Sequence, residues 1–279
     1  MRAPDDVCAV VLAAGLGTRL RPLTMLRPKA LVPVGNQTLL DRTLDRLAEV
    51  GLTGPDRAAV NTHWLAGQIA EHVDGRVRLS FEPEPLGTAG ALGNLHGWID
   101  GRAVLVLNAD AYVVADAPED LAALLSGWDG ERVRMHGVKA GLPDPFGGYN
   151  FAGASLLPAA DAAALPDKPR ELVRTTWRPA EQAGRLDVVP LPGRYLDCGT
   201  PADYLDANLD AAGGGNLFGD DVQVTGEAHG SVLGAGSRVH GTVRDCVLWP
   251  GATVAPHENL HRVIRVGSDL TVPAPHPVQ

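Results

Sequence analysis

The sequence predicts an α/β protein with an open, mostly parallel sheet, followed by a small C-terminal β-helix. Three observations carry this. Apolar runs of strand length, at 7–13 and 103–107, read as strands buried on both faces, the pattern of parallel sheets. Strand-like and helix-like segments alternate along the first part of the chain. Beyond Gly213-Gly214-Gly215-Asn216 the pattern becomes a short repeat with glycine at a fixed place.

In chain order, the run at 7–13 ends in the loop Gly15-Leu16-Gly17. Leu39, Leu40, Thr43, Leu44, Leu47 and Val50 recur at helical spacing, and Gly51 is placed to cap that helix. A short strand at 58–60 leads into a helix expected over 64–73. The alternation at 77–81 reads as a strand, and a helix is expected over 89–98. The strand at 103–107 is followed by Asn108-Ala109-Asp110, and Pro118 opens a helix through Leu125. The stretch 127–192 is rich in Gly and Pro and shows only two strands, at 149–157 and 186–189. A helix at 201–211 precedes the glycine linker, so a first domain is expected over 1–212 and a second over 213–279.

The repeat aligns Val232-Leu233-Gly234-Ala235-Gly236-Ser237-Arg238-Val239 with the segment from Val247 to Val254 and with Val263 to Leu270. Stacked coils of a small β-helix fit this pattern, with a hairpin meander as the alternative. A stack of coils has open ends, so it should dock on the main domain or on another subunit, and a homo-oligomer formed through this domain is expected.

Composition bounds the function. Of 279 residues, 45% are hydrophobic and 20% charged, an ordinary globular balance, and the net charge of -9 without a basic cluster argues against a nucleic-acid surface. The three cysteines are widely spaced and suggest neither a disulfide framework nor a metal site. No apolar stretch approaches the roughly 18 residues of a membrane span, and Met1–Asp6 does not read as a signal peptide, so a cytoplasmic enzyme is expected.

An anionic substrate must then be met locally. The richest segment is Leu12-Ala13-Ala14-Gly15-Leu16-Gly17-Thr18-Arg19-Leu20-Arg21-Pro22-Leu23-Thr24, followed by Arg27-Pro28-Lys29-Ala30-Leu31-Val32-Pro33-Val34. A loop leaving the carboxyl end of a buried strand lies where α/β sheets bind ligands. Gly15 and Gly17 free backbone N–H groups for phosphate oxygens, Thr18 adds a hydroxyl, Arg19 can fork across two oxygens, and Lys29 is a compact second cation. A glycine pair alone could equally be a plain tight turn. Neither the dinucleotide fingerprint nor the P-loop pattern is present.

The whole run resembles the signature of the sugar-1-phosphate nucleotidyltransferase family, which includes mannose-1-phosphate guanylyltransferases and glucose-1-phosphate thymidylyltransferases. The resemblance covers 1–212 and implies a Rossmann-like, glycosyltransferase-A-type domain; the tail resembles a short left-handed β-helix. It implies that Leu12, Ala13, Ala14, Gly15, Gly17, Thr18, Arg19, Lys29 and Asn108 bind the nucleotide. Asp110 and Asp197, the latter in Tyr195-Leu196-Asp197-Cys198-Gly199-Thr200-Pro201, match the two aspartates that hold Mg²⁺ beside the sugar phosphate. Either aspartate alone could be a cap or turn residue. Arg19, Lys29 and Asp110 are the catalytic candidates.

Glu82-Pro83-Glu84-Pro85-Leu86-Gly87-Thr88-Ala89-Gly90 resembles the base-binding loop in its guanylyltransferase form, with Glu82, Gly87 and Thr88 at the nucleotide. A carboxylate only accepts hydrogen bonds and guanine's N1–H and N2–H₂ only donate, which favours GTP. The alternative is that Glu82 faces solvent and backbone groups read the base. Phe151-Ala152-Gly153-Ala154-Ser155 resembles the strand whose glycine backs the sugar, but the family's Glu-Lys-Pro upstream of it is missing. Lys139 is the one lysine between Lys29 and Gly153, and either replaces that group or faces solvent. Asn61-Thr62-His63-Trp64 also has counterparts in the family, with His63 expected to cap or pack at a helix start. Other readings are a uridylyl- or thymidylyltransferase, a different phosphorylated acceptor, a non-catalytic nucleotide-sugar-binding relative, or a β-helix acyltransferase. The last lacks a suitably placed histidine.

Overall fold

The apolar strand Val7–Leu12 lies in the middle of a seven-stranded sheet, with its first five residues buried. It pairs in parallel with Ala58–Thr62 on one side and Ala103–Asn108 on the other. The order across the sheet is Leu186–Pro190, Val133–Lys139, Tyr149–Leu157, Ala103–Asn108, Val7–Leu12, Ala58–Thr62, Arg78–Phe81. Every pair is parallel except those of Tyr149–Leu157, which runs antiparallel to both neighbours. The chain leaves the first strand toward one edge, then returns to its other side at Ala103–Asn108. The carboxyl ends of these two strands therefore flank the point where strand order reverses, the usual ligand crevice of open α/β sheets. These relations come from a computed structural model that describes residues 2–115, 120–139, 141 and 145–275.

The core of this sheet joins Cys8, Val10, Ala59, Leu92, Val104, Val106, Met135, Leu157 and Trp177. Burial pushes the Cys8 thiol up to about 11. Helix Leu39–Glu49 ends as expected, with Gly51 at a φ of 74°. The helix expected from residue 64 begins at Ala66, and His63 lies ahead of it. The single helix expected over 89–98 is two, Gly87–Gly93 and His96–Ile99. Gly87, Gly90 and Gly93 recur along the first of these because the chain at 166–170 lies against it. A Cβ on Gly90 would stand 2.5 Å from the Lys168 carbonyl oxygen, and one on Gly93 would overlap that of Pro166. Pro118 lies outside the described residues; the helix it was expected to open runs Asp120–Leu125. The stretch around 160–182 hid three short helical segments, Ala159–Ala163, Val173–Trp177 and Arg178–Gln182. Among the described residues no helix is long and apolar enough to cross a membrane.

The chain divides into two compact units. The first carries the sheet and comprises the chain up to Leu16, Pro28–Ala30 and Leu40–Tyr195. The second comprises Gly17–Arg27, Leu31–Leu39 and the chain from Leu196 onward, so the boundary expected after residue 212 falls inside it.

In the second unit, helix Pro201–Ala212 is capped by the Thr200 side chain, which accepts from Asp203 N. Then come three parallel coils. The first is Leu217–Phe218, Gln223–Val224 and Glu227–His229; the second and third stack on it in register, Leu217 beside Val232 and Val232 beside Val247. The repeat therefore begins one coil earlier than the sequence alignment placed it. The copy at 263–270 adds one more parallel strand to the stack but no fourth coil. Val247 pairs with Ile264, one residue off the alignment, and Val263–Val266 folds back on Leu270–Pro273 as an antiparallel hairpin. The hairpin covers one open end of the stack, the device that blunts a sheet edge. Inside the coils Leu233, Val239, Val243, Cys246, Leu248, Ala252 and Val254 form a dry core.

Candidate active site

In the first unit, the parallel register sets Leu12 beside Asn108, and Ala109 N donates to the Leu12 carbonyl at 3.1 Å. The two strands thus end together. Gly15 and Leu16 leave the first strand exposed, with open space around Gly15. Asp110 follows the second strand, and Lys29 Nζ reaches its Oδ2 at 3.2 Å. The lysine is 9% exposed, while the Asp110 side chain is 44% exposed. A nearly buried cation is thus held against a half-open carboxylate at the switch point.

A polar relay runs along the same edge. Asn61, at 3% exposure, accepts from Ala13 N at 2.6 Å and donates to Glu82 Oε1 at 2.8 Å. Glu82 Oε2 accepts from Leu86 N at 2.9 Å, and His63 Nδ1 lies 2.9 Å from the Glu82 carbonyl. Glu82 is 1% exposed. The expectation of a free carboxylate reading the base is corrected by this geometry: both oxygens are engaged inside the protein, where they brace the loop. His63 likewise packs against this relay and does not cap a helix. The relay ties the end of the first strand to the loop carrying Gly87 and Thr88.

That loop has a second anchor. Glu171 Oε2 accepts from Thr88 N at 3.2 Å and from Thr88 Oγ1 at 2.8 Å, while Thr88 Oγ1 accepts from Leu172 N at 2.7 Å. Gly87 has a φ of 69°, and a Cβ there would sit 2.6 Å from the Arg170 carbonyl oxygen, so glycine is required on both counts. Gly153 has a φ of 79° with the Tyr195 ring 3.1 Å from where a Cβ would project, at an irregularity in the strand pairing. Lys139 is exposed at the end of its strand, opposite Tyr149.

In the second unit, Gly17 has a φ of 59° and Thr24 Oγ1 donates to its carbonyl at 2.8 Å, closing the loop over Thr18–Leu20. Buried Leu20 pins this turn and leaves Thr18 and Arg19 exposed. Arg19 Nη2 lies 3.5 Å from Asp197 Oδ2, with the side chains 66% and 44% exposed. Gly199 makes room for the guanidinium, since a Cβ there would come within 2.7 Å of Nη2. Each unit therefore carries one cation from the signature paired with one of the two aspartates.

A model of the nucleotidyl transferase family matches residues 8–171, more than half of the chain. The chain belongs to the nucleotidyl transferase family. Among relatives, an N-acetylmuramate alpha-1-phosphate uridylyltransferase of Caulobacter vibrioides is 28% identical over 232 residues, 71% of this chain and 94% of that protein. A mannose-1-phosphate guanylyltransferase of Mycobacterium tuberculosis is 34% identical over 153 residues, 52% of this chain and 41% of that protein. The chain thus spans less than half the length of that guanylyltransferase. A solved structure from Thermus thermophilus, described as a mannose-1-phosphate geranyltransferase, matches 96% of this chain and 95% of its own. Its TM-score of 0.66 at 22% identity is a likeness of fold. As a nucleotidyltransferase the protein is an enzyme, and its mostly parallel sheet is the fold of the family.

The residues that sequence reasoning missed are Asn61 as the centre of a buried relay and Glu171 as the clamp on Thr88. Asn61 stood in a noticed segment, but nothing local marks which side chain it will meet.

Proposed function

We propose that this nucleotidyltransferase joins the nucleoside monophosphate of an NTP to a sugar 1-phosphate and releases pyrophosphate. The observation that carries the reading is the Lys29–Asp110 pair beside the Gly15 loop, at the edge where the two central strands end. The acceptor phosphate is already an anion, so the reaction needs no general base. It needs two mutually repelling anions held in line and the charge on the leaving group neutralised. Lys29 and Arg19 supply that positive charge, and backbone N–H groups from Gly15 to Thr18 donate to phosphate oxygens. Arg19 and Asp197 are assigned to the same substrate on the strength of their sequence motifs.

Mg²⁺ fits the residues: Asp110 and Asp197 offer hard oxygen donors, both half-exposed and both already beside a cation that moderates their charge. An ion here would be held by one or two carboxylates plus substrate phosphates, the usual arrangement for magnesium in nucleotide sites. Bound there, magnesium would screen the triphosphate and stabilise the charge at the α-phosphorus. Lys139 and Gly153 are assigned to the sugar phosphate side, and self-association to the C-terminal coils, whose first coil exposes Phe218.

GTP remains the nucleotide favoured by the form of the 82–90 loop. UTP is the second reading, supported by two observations: the Glu82 acceptors are engaged internally, and the relative matched over 94% of its length is a uridylyltransferase. A pyrophosphate-release assay across five NTPs and a panel of sugar 1-phosphates tests both. Release should require an NTP and an acceptor together. Release without any acceptor, or none with any pair, overturns the proposal.

A further inference from the structure

In the first two coils of the β-helix, the residue after the first strand is glycine, Gly219 and Gly234. Stacking demands it. A Cβ on Gly219 would come within 2.6 Å of Ala235 N, and one on Gly234 within 2.5 Å of Pro250 N. The equivalent residue of the third coil is Trp249, the largest side chain in place of the smallest. The strand that stacks next on the third coil, Val263–Val266, turns back as a hairpin and completes no fourth coil, and the indole is nearly fully buried at 3% exposure.

Its contacts lie outside the coils, within the same compact unit. The indole N–H donates to Tyr204 Oη at 3.0 Å, and the Tyr204 hydroxyl donates to the Pro33 carbonyl at 2.5 Å. Tyr204 belongs to helix Pro201–Ala212, and burial pushes its phenol up, so it stays a donor. The Arg27 guanidinium lies 5.0 Å from the centroid of the Trp249 ring, a cation–π contact. Two further bonds brace the junction: Asn208 Oδ1 accepts from Gly35 N at 3.0 Å, and Asn36 Nδ2 donates to the Leu233 carbonyl at 3.1 Å.

The two segments that Trp249 grips are the two that carry the exposed ion pair. Arg27 ends the short helix Leu23–Leu26, whose Thr24 holds the Gly17 carbonyl and so the turn bearing Arg19. Helix Pro201–Ala212 begins just after Asp197, Cys198 and Gly199, on which the Arg19 guanidinium rests. The Arg19–Asp197 contact is long and half-exposed, so it does not hold the two segments together by itself. We propose that Trp249 is a positioning residue for the Arg19–Asp197 pair: its N–H fixes the helix that follows the aspartate, and its ring face fixes the segment that carries the arginine. The β-helix is thereby part of the scaffold of the reaction centre. The inference rests on the proposed catalytic use of Arg19.

The test measures turnover, KM for the NTP and Tm in Trp249→Leu, Trp249→Phe, Arg27→Gln, Arg19→Ala and Val254→Ala, the last a truncation in the coil core far from both segments in sequence. A misplaced guanidinium costs transition-state stabilisation more than binding, so Trp249→Leu and Arg27→Gln should lose about tenfold in kcat with KM changed less than threefold. Trp249→Phe keeps a ring face for Arg27 and should recover part of that loss. Val254→Ala should lower Tm without lowering kcat. Should Trp249→Leu fail to fold, Arg27→Gln and Trp249→Phe decide the matter, since both keep the coils intact. Turnover in Arg27→Gln and Trp249→Phe within twofold of wild type, with Arg19→Ala down at least a hundredfold, overturns this inference alone. An unchanged Arg19→Ala overturns it together with the proposed role of Arg19. A kcat loss in Val254→Ala matching that of Trp249→Leu also overturns it, because the effect would then be general loosening.

Discussion

Replacing Arg19 by alanine separates fold from chemistry because the structure makes the two costs so different. The side chain is 66% exposed and its contact with Asp197 Oδ2, at 3.5 Å, is longer than the roughly 2.7–2.9 Å of a strong charge-assisted bond. An exposed pair of this kind contributes at most about 1 kcal/mol, and Asp197 left behind is half-exposed and stays hydrated. The turn itself is pinned by buried Leu20 and by Thr24 on the Gly17 carbonyl, neither of which is touched. Tm should therefore fall by no more than roughly 2–4 °C. In the proposed reaction, by contrast, the guanidinium takes charge that develops as pyrophosphate departs. Deleting one such donor costs about 2.7–4 kcal/mol of barrier, or roughly 100- to 1000-fold in turnover. Arg19→Lys should recover only part, since a point charge cannot fork across two phosphate oxygens. The assay is pyrophosphate release at saturating substrates alongside thermal melting. Turnover within threefold of wild type at an unchanged Tm would refute the reasoning, because it would leave the signature arginine without chemical work.

Asn61→Leu should be the opposite case, destabilising by about 3 kcal/mol in urea titration because it strands the Glu82 carboxylate and Ala13 N in a buried setting; a loss under 1 kcal/mol would mean that the relay is not what braces this edge. Gly15→Ala and Gly93→Ala should split in the same manner: the first has open space and should keep its Tm while raising KM for the NTP, whereas the second overlaps the Pro166 carbonyl and should melt several degrees lower. Equal Tm values for the two would contradict the packing described. His136 is buried with Nε2 2.9 Å from the Asp120 carbonyl, and desolvation lowers its affinity for a proton, against the pull of the Asp120 carboxylate. The unfolded chain then binds more protons, so this stability is complete above the ordinary value of 6.5 and declines as pH falls below it, by at most about 1.4 kcal/mol per unit. Urea midpoints between pH 5 and 8 should show that slope in wild type and a shallower one in His136→Gln; identical slopes would assign the effect elsewhere.

Several features were legible from residue order because each has a local cause. The run at 7–12 is apolar on both faces, so it had to be an interior parallel strand, and the glycine-rich loop was bound to leave it at the carboxyl edge of the sheet. Lys29 and Asp110 were both marked by the motifs around them, as were Arg19 and Asp197. The coil repeat was visible through its glycines, though its start and its last copy were misplaced: the first coil has Asp221 where the later copies have their turn glycine, and Val263–Val266 stacks one residue off the alignment before folding back as a hairpin.

What the linear order left open was the choice of partners. Glu82 carries the same carboxylate whether it meets a base or meets Asn61 and Leu86 N; only the folded sheet edge, which buries it, decides between them. The same holds for Trp249, whose two contacts come from segments far apart along the chain. Patterns of period and turn chemistry act between neighbours and can be read directly. A hydrogen bond or a stacked cation depends on which surfaces the packed core brings within a few ångströms, and that is settled only when the chain has closed on itself.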